Sequence, residues 1–328
     1  MKKMMTILLA AMFATVADAQ TFNRRVLMEE YTGTWCENCP RGMASIEHLE
    51  KLYGDRFIAI AVHQSGNDPM KTGLYASGPG YPQCALNRAG TTDPFFGTSW
   101  TQADPIGIIH NIDYLLGQKC QANVEVTAQW TDQQHTTIEV KAQTVFGSGA
   151  KTSDFALAFV VVEDGMKGSG QGWNQVNKYV NDRDWLVMPE MKRFVEGTNP
   201  MTNMEYDHVA VDGVGIRTGI ENSISEIVAG EPQTFTQLID VSGNNLIQDK
   251  SKLRVVAILL NRYYGDVENS AQCTVLPFGG TESVDDAVTL TQGKRVYNLQ
   301  GRQVYPHAQG NVAPQLRIVG GKKVIVRP

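Results

Sequence analysis

The sequence predicts an α/β domain followed by an all-β sandwich domain and a short C-terminal β-segment. Three observations support this fold class: an early strand, helix and strand pattern, a change to alternating strands after Cys120, and an apolar content sufficient for real cores. The chain has 328 residues, of which 42% are hydrophobic and 19% are charged. That length fits about two domains.

The charge balance excludes one class of partner. The chain has 29 basic and 34 acidic residues and a formal net charge of −5. It therefore has no positive excess with which to neutralise phosphates, and we do not expect it to bind nucleic acid. The modest net charge and the high apolar content also exclude a disordered chain.

Residues 1–19 have the three parts of a secretory signal peptide. Lys2 and Lys3 give a positive start, residues 4–16 are apolar but too few to span a bilayer, and residues 17–19 (ADA) form a small-residue cleavage site. An N-terminal membrane anchor is the alternative. No later stretch reaches 18 apolar residues, so we expect no transmembrane segment in the mature chain. The prediction is an exported protein of the periplasm, the outer membrane or the cell surface.

The first domain is assigned to residues 20–120. Residues 25–31 (RVLMEEY) and 57–62 (FIAIAV) have the apolar runs of buried strands. Between these strands, spacings of three and four predict a helix that ends at Gly54. Its apolar face consists of Met43, Ile46, Leu49, Leu52 and Tyr53. The three elements form a right-handed parallel crossover, and residues 106–116 predict a second helix.

The β-sandwich domain is assigned to residues 121–280. Its predicted strands, separated by Gly, Asn and Asp turns, are residues 122–130, 136–146, 155–162, 232–241 and 253–261. Residues 165–184 predict a long loop or an insertion in the sandwich. Trp173, Tyr179 and the adjoining Trp185 offer a binding surface for a protein or a glycan, the alternative being a satellite core. Residues 281–328 are assigned to a linker and a C-terminal β-hairpin.

The motif with chemical content is Trp35-Cys36-Glu37-Asn38-Cys39, a CxxC between a strand and a helix. Unpaired backbone N–H groups and the positive end of the dipole at a helix N-terminus favour a thiolate. Since the thiolate attacks in disulfide exchange, Cys36 is the expected nucleophile, and Cys39 resolves the mixed disulfide. Trp35 provides a flat apolar surface beside the exposed sulfur. The alternatives are an inert disulfide and half of a zinc site, although no second CxxC or Cys/His pair completes such a site.

The run VLMEEYTGTWCENCP resembles the active-site segment of the thioredoxin superfamily. The resemblance implies that Glu30, six residues before Cys36, is a buried acid that accepts a proton from Cys39. Glu29 is the competing residue, because strand alternation points only one of the two inward. The resemblance also implies a cis proline that binds the substrate main chain, and Tyr81-Pro82 matches that position; an ordinary trans bond is the alternative.

A longer pattern is more specific. The segments VLMEEYTGTWCENCPRG, AVHQSGNDPM and GYPQCALNR, followed by a β-rich half, resemble the thioredoxin-like outer membrane protein 28-related family of Bacteroidetes over roughly residues 24–280. The last segment resembles short C-terminal β-domains of exported proteins in the same bacteria, some of which direct secretion or surface attachment. A hairpin without a sorting role is the alternative.

Three further cysteines have no motif. A Cys84–Cys120 disulfide is favoured because both residues lie in the first domain, but the connectivity is open. Cys273 by default is a small buried hydrophobic residue. His63 follows the second strand, where an imidazolium would favour the Cys36 thiolate; the alternative is no role.

Two functions follow. The first is an exported thiol-disulfide oxidoreductase that acts on protein thiols and disulfides of the cell envelope and needs no metal or organic cofactor. The second is an envelope-associated binding or structural protein with a non-catalytic thioredoxin-like domain. The residues do not decide between reductase, oxidase and isomerase.

Overall fold

The computed structural model describes residues 21–101, 105–147, 150–151 and 154–279, and four strands after residue 295. The predicted signal peptide at 1–19 lies outside the described residues. So does most of the segment 281–328.

The first part of the chain contains the predicted strand, helix and strand. Its elements are β1 (Phe22–Asn23), β2 (Val26–Thr32), α1 (Pro40–Tyr53), β3 (Phe57–His63), β4 (Gln83–Leu86), β5 (Thr91–Thr92) and α2 (Ile108–Gly117). The strands β2 and β3 are parallel and in register from Val26 opposite Phe57 to Thr32 opposite His63. The helix α1 follows β2 and packs Ile46 and Leu49 into the cluster that contains Val26.

The remaining elements are mostly strands. They are β6 (Lys119–Cys120), β7 (Ala122–Trp130), β8 (Thr137–Phe146), β9 (Phe155–Glu163), α3 (Lys192–Val195), β10 (Val209–Val214), β11 (Pro232–Asp240), β12 (Leu253–Asn261) and β13 (Asp266–Leu276). The five strands predicted after residue 120 all form, with ends shifted by one residue at most. The sequence analysis did not predict β10 or β13.

Eleven strands form one mixed sheet in the order β11-β8-β7-β13-β12-β9-β10-β3-β2-β4-β5. The described chain is therefore mostly β-structure with few helices. The strand β10 links the two parts, because it pairs with β3 in parallel and with β9 antiparallel. The proposed boundary between residues 120 and 121 stays a prediction, and the sheet continues across it.

The sheet has apolar residues on both faces. On one face, the alternating residues of β7 and β8 pack against β9 and β12 in a core that contains Val124, Val140, Leu157 and Val255. This two-layer packing is compatible with the sandwich-like content that the alternation predicts. On the other face, Leu27, Ile60, Val160 and Ile258 belong to a second cluster.

The sheet curves until β13 contacts β2 and β3. Two hydrogen bonds hold this contact: Val267 N donates to Asn87 O at 2.8 Å, and Arg25 N donates to Asn269 Oδ1 at 3.0 Å. The fully buried Asn269 also donates from Nδ2 to Ala122 O at 3.1 Å. One side chain thus joins the start of β2 to the start of β7.

The strands near the C-terminus are β14 (Val296–Tyr297), β15 (Gln303–Val304), β16 (Gln315–Val319) and β17 (Lys322–Val326). They form an antiparallel sheet of their own in the order β15-β14-β16-β17. The sequence analysis expected a single hairpin here. In the described part of the chain, no helix combines the length and the apolar character needed to cross a membrane.

Replacing Asn269 by Leu is expected to lower the free energy of unfolding by at least about 2 kcal/mol, because it removes the hydrogen bonds of this buried side chain to Arg25 N and Ala122 O. Urea denaturation measures this loss. The control is Asn123→Leu, which removes an exposed side-chain contact to Glu125 and should change the unfolding free energy much less. Equal losses in the two variants would contradict the joining role of Asn269.

Candidate active site around the Cys36–Cys39 disulfide

Cys36 and Cys39 form a disulfide, with their Cα atoms 5.4 Å apart, in the turn that follows β2. Cys39 N donates to Cys36 O at 3.2 Å, and Gly42 N donates to Cys39 O at 2.9 Å. The helix begins at Pro40, so Cys39 directly precedes it and Cys36 lies in the preceding turn. The sequence predicted Cys36 at the start of the helix; it lies one turn before that start.

The two sulfurs differ in exposure. Cys36 keeps 5% of its surface in contact with solvent, and Cys39 keeps none. Cys36 is therefore the residue of the pair that solvent reaches. This asymmetry fits an attacking and a resolving cysteine in the order that the motif predicts.

An aromatic surface lies beside Cys36. Trp35 is 39% exposed, and its ring centroid is 5.1 Å from that of Tyr81. The indole Nε1 donates to Gln64 O at 3.1 Å, and the ring lies so close to Gly66 that a Cβ there would be 2.7 Å from Trp35. The Tyr81–Pro82 bond is cis, as predicted. Binding of substrate by Trp35, Tyr81 and Pro82 stays a prediction.

The two neighbouring glutamates point to opposite faces of the sheet. Glu29 accepts two hydrogen bonds from Arg88, at 2.8 and 2.6 Å. Glu30 points toward α1, where a Cβ on Gly42 would be 1.8 Å from its Oε1. Since Gly42 N bonds to Cys39 O, Glu30 is the acid on the side of the disulfide, as the resemblance implies.

The Glu30 carboxyl is 1% exposed, and its Oε1 has no hydrogen-bond partner. Burial raises its pKa to about 8, the negative charge of Asp93 adds to the rise, and the positive charge of Arg41 opposes it. Arg41 and Asp93 are themselves ion-paired. Glu30 is therefore protonated at neutral pH and close to the pH range in which thiols titrate.

A cavity of about 250 Å³ lies next to Glu30. Its floor includes Glu30, Ala61 and His63, α1 forms one wall, and Tyr206 and His208 cover it. The last two residues come from the segment before β10. The β-rich part of the chain thus supplies part of the site.

His63 is buried and bonded through Nδ1 to Oδ2 of Asp68 at 2.8 Å. Burial favours a raised pKa of Asp68, but the hydrogen bond and charge of His63 and the backbone N–H groups of Thr34 and Met70 outweigh it, so that the pKa is lowered. Asp68 is therefore a carboxylate. His63 lines the same cavity as Glu30, and its effect on the Cys36 thiolate stays a prediction.

Residues 174–201, the covering segment, lie over the CxxC turn. Four hydrogen bonds connect the two: Val176 N to Thr34 O at 2.8 Å, Gln175 Nε2 to Cys36 O at 2.9 Å, Lys178 N to Glu37 O at 3.3 Å and Tyr179 Oη to Asn38 O at 3.2 Å. The sequence analysis missed this contact. No periodic pattern signals it, because all four acceptors and two of the four donors are backbone groups of irregular segments.

The predicted exposed aromatic surface is wrong. Tyr179 is fully buried and accepts a hydrogen bond from Arg41 at 3.1 Å. Trp173 and Trp185 are half-buried and pack against the main core. Burying these rings anchors the covering segment, which is the core alternative that the sequence analysis also considered.

The predicted Cys84–Cys120 disulfide is absent, because both thiols are free. Cys84 lies on β4 opposite Glu30, and burial, followed by the charges of Glu30 and Asp93, raises its pKa. Cys120 lies on β6, which pairs with β1. Its Sγ contacts Ala122 O at 3.2 Å, and burial raises its pKa to about 11. Membership of one predicted domain did not bring the two sulfurs together. Cys273 is half-buried on β13.

The described residues contain no group of three His, Cys, Asp or Glu side chains that could hold a metal ion.

No protein-family model and no curated protein matches the sequence. Among solved structures, HBP35 of Porphyromonas gingivalis is similar with 15% identity and a TM-score of 0.52, over 93% of this chain and 98% of that one. This likeness concerns the fold.

Two looser matches exist. One is a protein of Agrobacterium tumefaciens, with 18% identity, coverage of 80% of this chain and 97% of that one, and a TM-score of 0.39. The other is a domain of the outer membrane lipoprotein Omp28 from P. gingivalis, with 13% identity, 48% and 90% coverage, and a TM-score of 0.26. Both are too distant to bear on the fold.

The variant Glu30→Gln is expected to raise stability in alkaline solution. A raised carboxyl pKa means that the folded state binds the proton more tightly than the unfolded state, so the stability of the natural chain falls between pH 4.5 and about 8. The neutral amide does not titrate, and its advantage should grow over that window to at most about 5 kcal/mol. Urea denaturation at about pH 5 and about pH 9 measures the difference.

The matched control is Glu29→Gln, which leaves the buried Arg88 without its carboxylate. It is expected to cost about 3–5 kcal/mol at neutral pH. A pH-independent difference between the natural chain and Glu30→Gln would contradict the burial of an ionisable Glu30.

Proposed function

We propose that the protein is an exported thiol-disulfide oxidoreductase that acts on protein thiols and disulfides through Cys36 and Cys39. The observation that supports this most is the disulfide with one solvent-accessible sulfur above a buried acid without a partner. An inert disulfide does not need such an acid, because leaving a buried polar group unpaired costs about 1–3 kcal/mol.

The chemistry begins with the reduced protein. The Cys36 thiolate attacks a substrate disulfide, forms a mixed disulfide with one sulfur, and releases the other as a thiolate. Glu30, in the carboxylate form that is its minor form at neutral pH and its major form above about pH 8, takes the proton of Cys39, and the Cys39 thiolate then attacks Cys36. The mixed disulfide breaks, the second substrate sulfur leaves as a thiolate, and the Cys36–Cys39 bond forms. The reverse sequence oxidises a substrate, and both directions use the same groups.

Glu30 suits this proton transfer because its pKa of about 8 is near that of a thiol, about 8.5. A proton then moves between Cys39 and Glu30 with a small free-energy difference, which is the condition for an efficient general base. Trp35, Tyr81 and Pro82 form the substrate surface beside the accessible sulfur in this proposal.

The finer assignments belong to the same proposal. Residues 20–120 form a thioredoxin-like domain, residues 121–280 a β-sandwich, and the chain acts in the periplasm or at the outer membrane or cell surface. Support comes from the sequence resemblance to the outer membrane protein 28-related family and from the cis bond at Pro82. The likeness in fold to HBP35 of P. gingivalis is compatible with it.

The second candidate is an envelope-associated binding or structural protein with an inert disulfide. The covering segment favours it, because its four hydrogen bonds and the buried Tyr179 hold the CxxC turn in place. In this case the disulfide fastens the turn beneath the covering segment, and the β-rich part is the working surface.

The variant Cys36→Ser is expected to reduce insulin-disulfide reduction by the mature protein to the rate of buffer with reductant, because no attacking thiolate remains. Cys39→Ser should accumulate a mixed disulfide between Cys36 and the substrate, which mass spectrometry detects. The matched control is Cys273→Ser, which should keep the natural rate. Equal rates for the natural chain and Cys36→Ser would refute catalysis by this motif.

The reduction potential separates the two candidates. A Cys36–Cys39 pair between about −120 and −270 mV fits exchange, whereas a value below about −300 mV fits a structural bridge. Equilibration with glutathione or dithiothreitol buffers, followed by thiol trapping and mass mapping, measures it. We expect a value in the first range, and a value in the second would support the structural candidate.

A further inference from the structure

We propose that His63, held by Asp68, is a second proton acceptor that takes the proton from Glu30 through the cavity and passes it to solvent. This inference rests on the proposed function, because the proton comes from Cys39 during exchange. It gives a function to His63 and to the cavity beside Glu30, neither of which takes part in the exchange steps at Cys36 and Cys39.

The strand register places the two groups on one face of the sheet. Glu30 lies opposite Ala61 and Thr32 lies opposite His63, so Glu30 and His63 are diagonal neighbours on adjacent parallel strands. Ala61 between them has a small side chain, and all three line the cavity of about 250 Å³. That volume has room for several water molecules, which can bridge groups that do not touch.

The hydrogen bond of His63 to Asp68 uses Nδ1 and leaves Nε2 to accept a proton. Asp68 is a carboxylate that accepts from Thr34 N and Met70 N, both at 2.9 Å. A carboxylate only accepts, so the Nδ1 of His63 is the donor in the 2.8 Å contact to Asp68. The neutral ring then has its lone pair on Nε2 and can accept a proton there. The charge of Asp68 stabilises the imidazolium that forms.

His208, the other histidine of the cavity, is less suited. Arg254 can only donate, so the contact of 2.7 Å between Arg254 Nη2 and His208 Nδ1 uses the lone pair of that ring. The Nε2 of His208 faces Glu50 at 3.4 Å. Protonating Nδ1 would break the contact with Arg254.

The charges around the cavity favour a cation within it. Of the groups that line it, Glu47 and Glu50 on α1 and Glu205 and Asp207 before β10 are acidic, and Arg193 is the basic one, paired with Glu47 at 3.2 Å. Behind Glu30, Asp93 and Arg41 form an ion pair, and the Cys84 thiol lies opposite Glu30 on β4. An imidazolium at His63 is thus surrounded mainly by carboxyl groups.

The proton transfer balances without another reactant. The O–H bond of the protonated Glu30 breaks, a cavity water relays the proton, and an N–H bond forms at Nε2 of His63. The imidazolium returns to the neutral ring by giving the proton to water at the mouth of the cavity. Glu30 is again a carboxylate and ready for the next Cys39 proton.

The test measures hydrogen–deuterium exchange of the Glu30 carboxyl in the oxidised protein. Infrared spectroscopy after transfer to D₂O follows the C=O band of the protonated acid, which is identified by its absence in Glu30→Gln. In His63→Gln, exchange should slow by at least about tenfold, a cautious threshold below the roughly 10²–10⁴-fold that a positioned proton acceptor contributes. Asp68→Asn should slow it less, and it also serves if His63→Gln does not fold.

The matched control is His48→Gln. His48 lies on α1 and also contacts a carboxylate, Glu190 at 3.1 Å, but it does not line the cavity. Its exchange rate should equal that of the natural chain. Unchanged exchange in both His63→Gln and Asp68→Asn would overturn the relay.

A second readout connects the relay to turnover. At about pH 9, where Glu30 is mostly carboxylate, the first turnover of reduced His63→Gln should keep its rate, because Glu30 accepts one proton, and later turnovers should slow by at least about tenfold. An equal slowing of the first turnover would overturn the relay and indicate a structural defect. If the natural chain shows no turnover but His63→Gln slows the carboxyl exchange, the relay stands and the proposed function fails.

Discussion

The burial of one carboxyl group, that of Glu30, organises the surroundings of the disulfide. Its Oε1 has no hydrogen-bond partner, and it lies against α1 where Gly42 has no side chain to keep the helix away. The nearby Arg41 is engaged by Asp93 rather than by Glu30. With no cation bound to it, the acid keeps a raised pKa of about 8, which is near that of a thiol.

Residues from both parts of the chain form the site. The strand, helix and strand of the first part provide the disulfide, Glu30 and His63, while residues before β10 cover the cavity and residues 174–201 cover the CxxC turn. The link is β10, whose pairing with β3 sets His208 O at 2.8 Å from Ala61 N. The β-rich part is therefore more than a neighbouring domain.

Sequence patterns predicted what depends on local periodicity or on a known motif. The spacing of three and four identified α1, and alternation identified five strands and the inward direction of one glutamate. The strand β13 was not predicted, because its buried residues include the polar Glu268, Asn269 and Ser270. These interrupt the apolar pattern that identifies a buried strand. The Cys84–Cys120 pairing was wrong, and the covering segment was missed, because each depends on which distant segments meet rather than on the residues of one segment.

The pairing of β3 with β10 has a consequence for how such a chain can evolve. Without residues after 120, β3 would be the last strand of its sheet, with bare N–H and C=O groups beside the apolar residues Ile58, Ile60 and Val62. Such an edge invites self-association. A gene fragment that encoded only the residues up to 120 would therefore yield a protein that tends to aggregate. Recombination is expected to transmit the two parts together rather than as interchangeable modules.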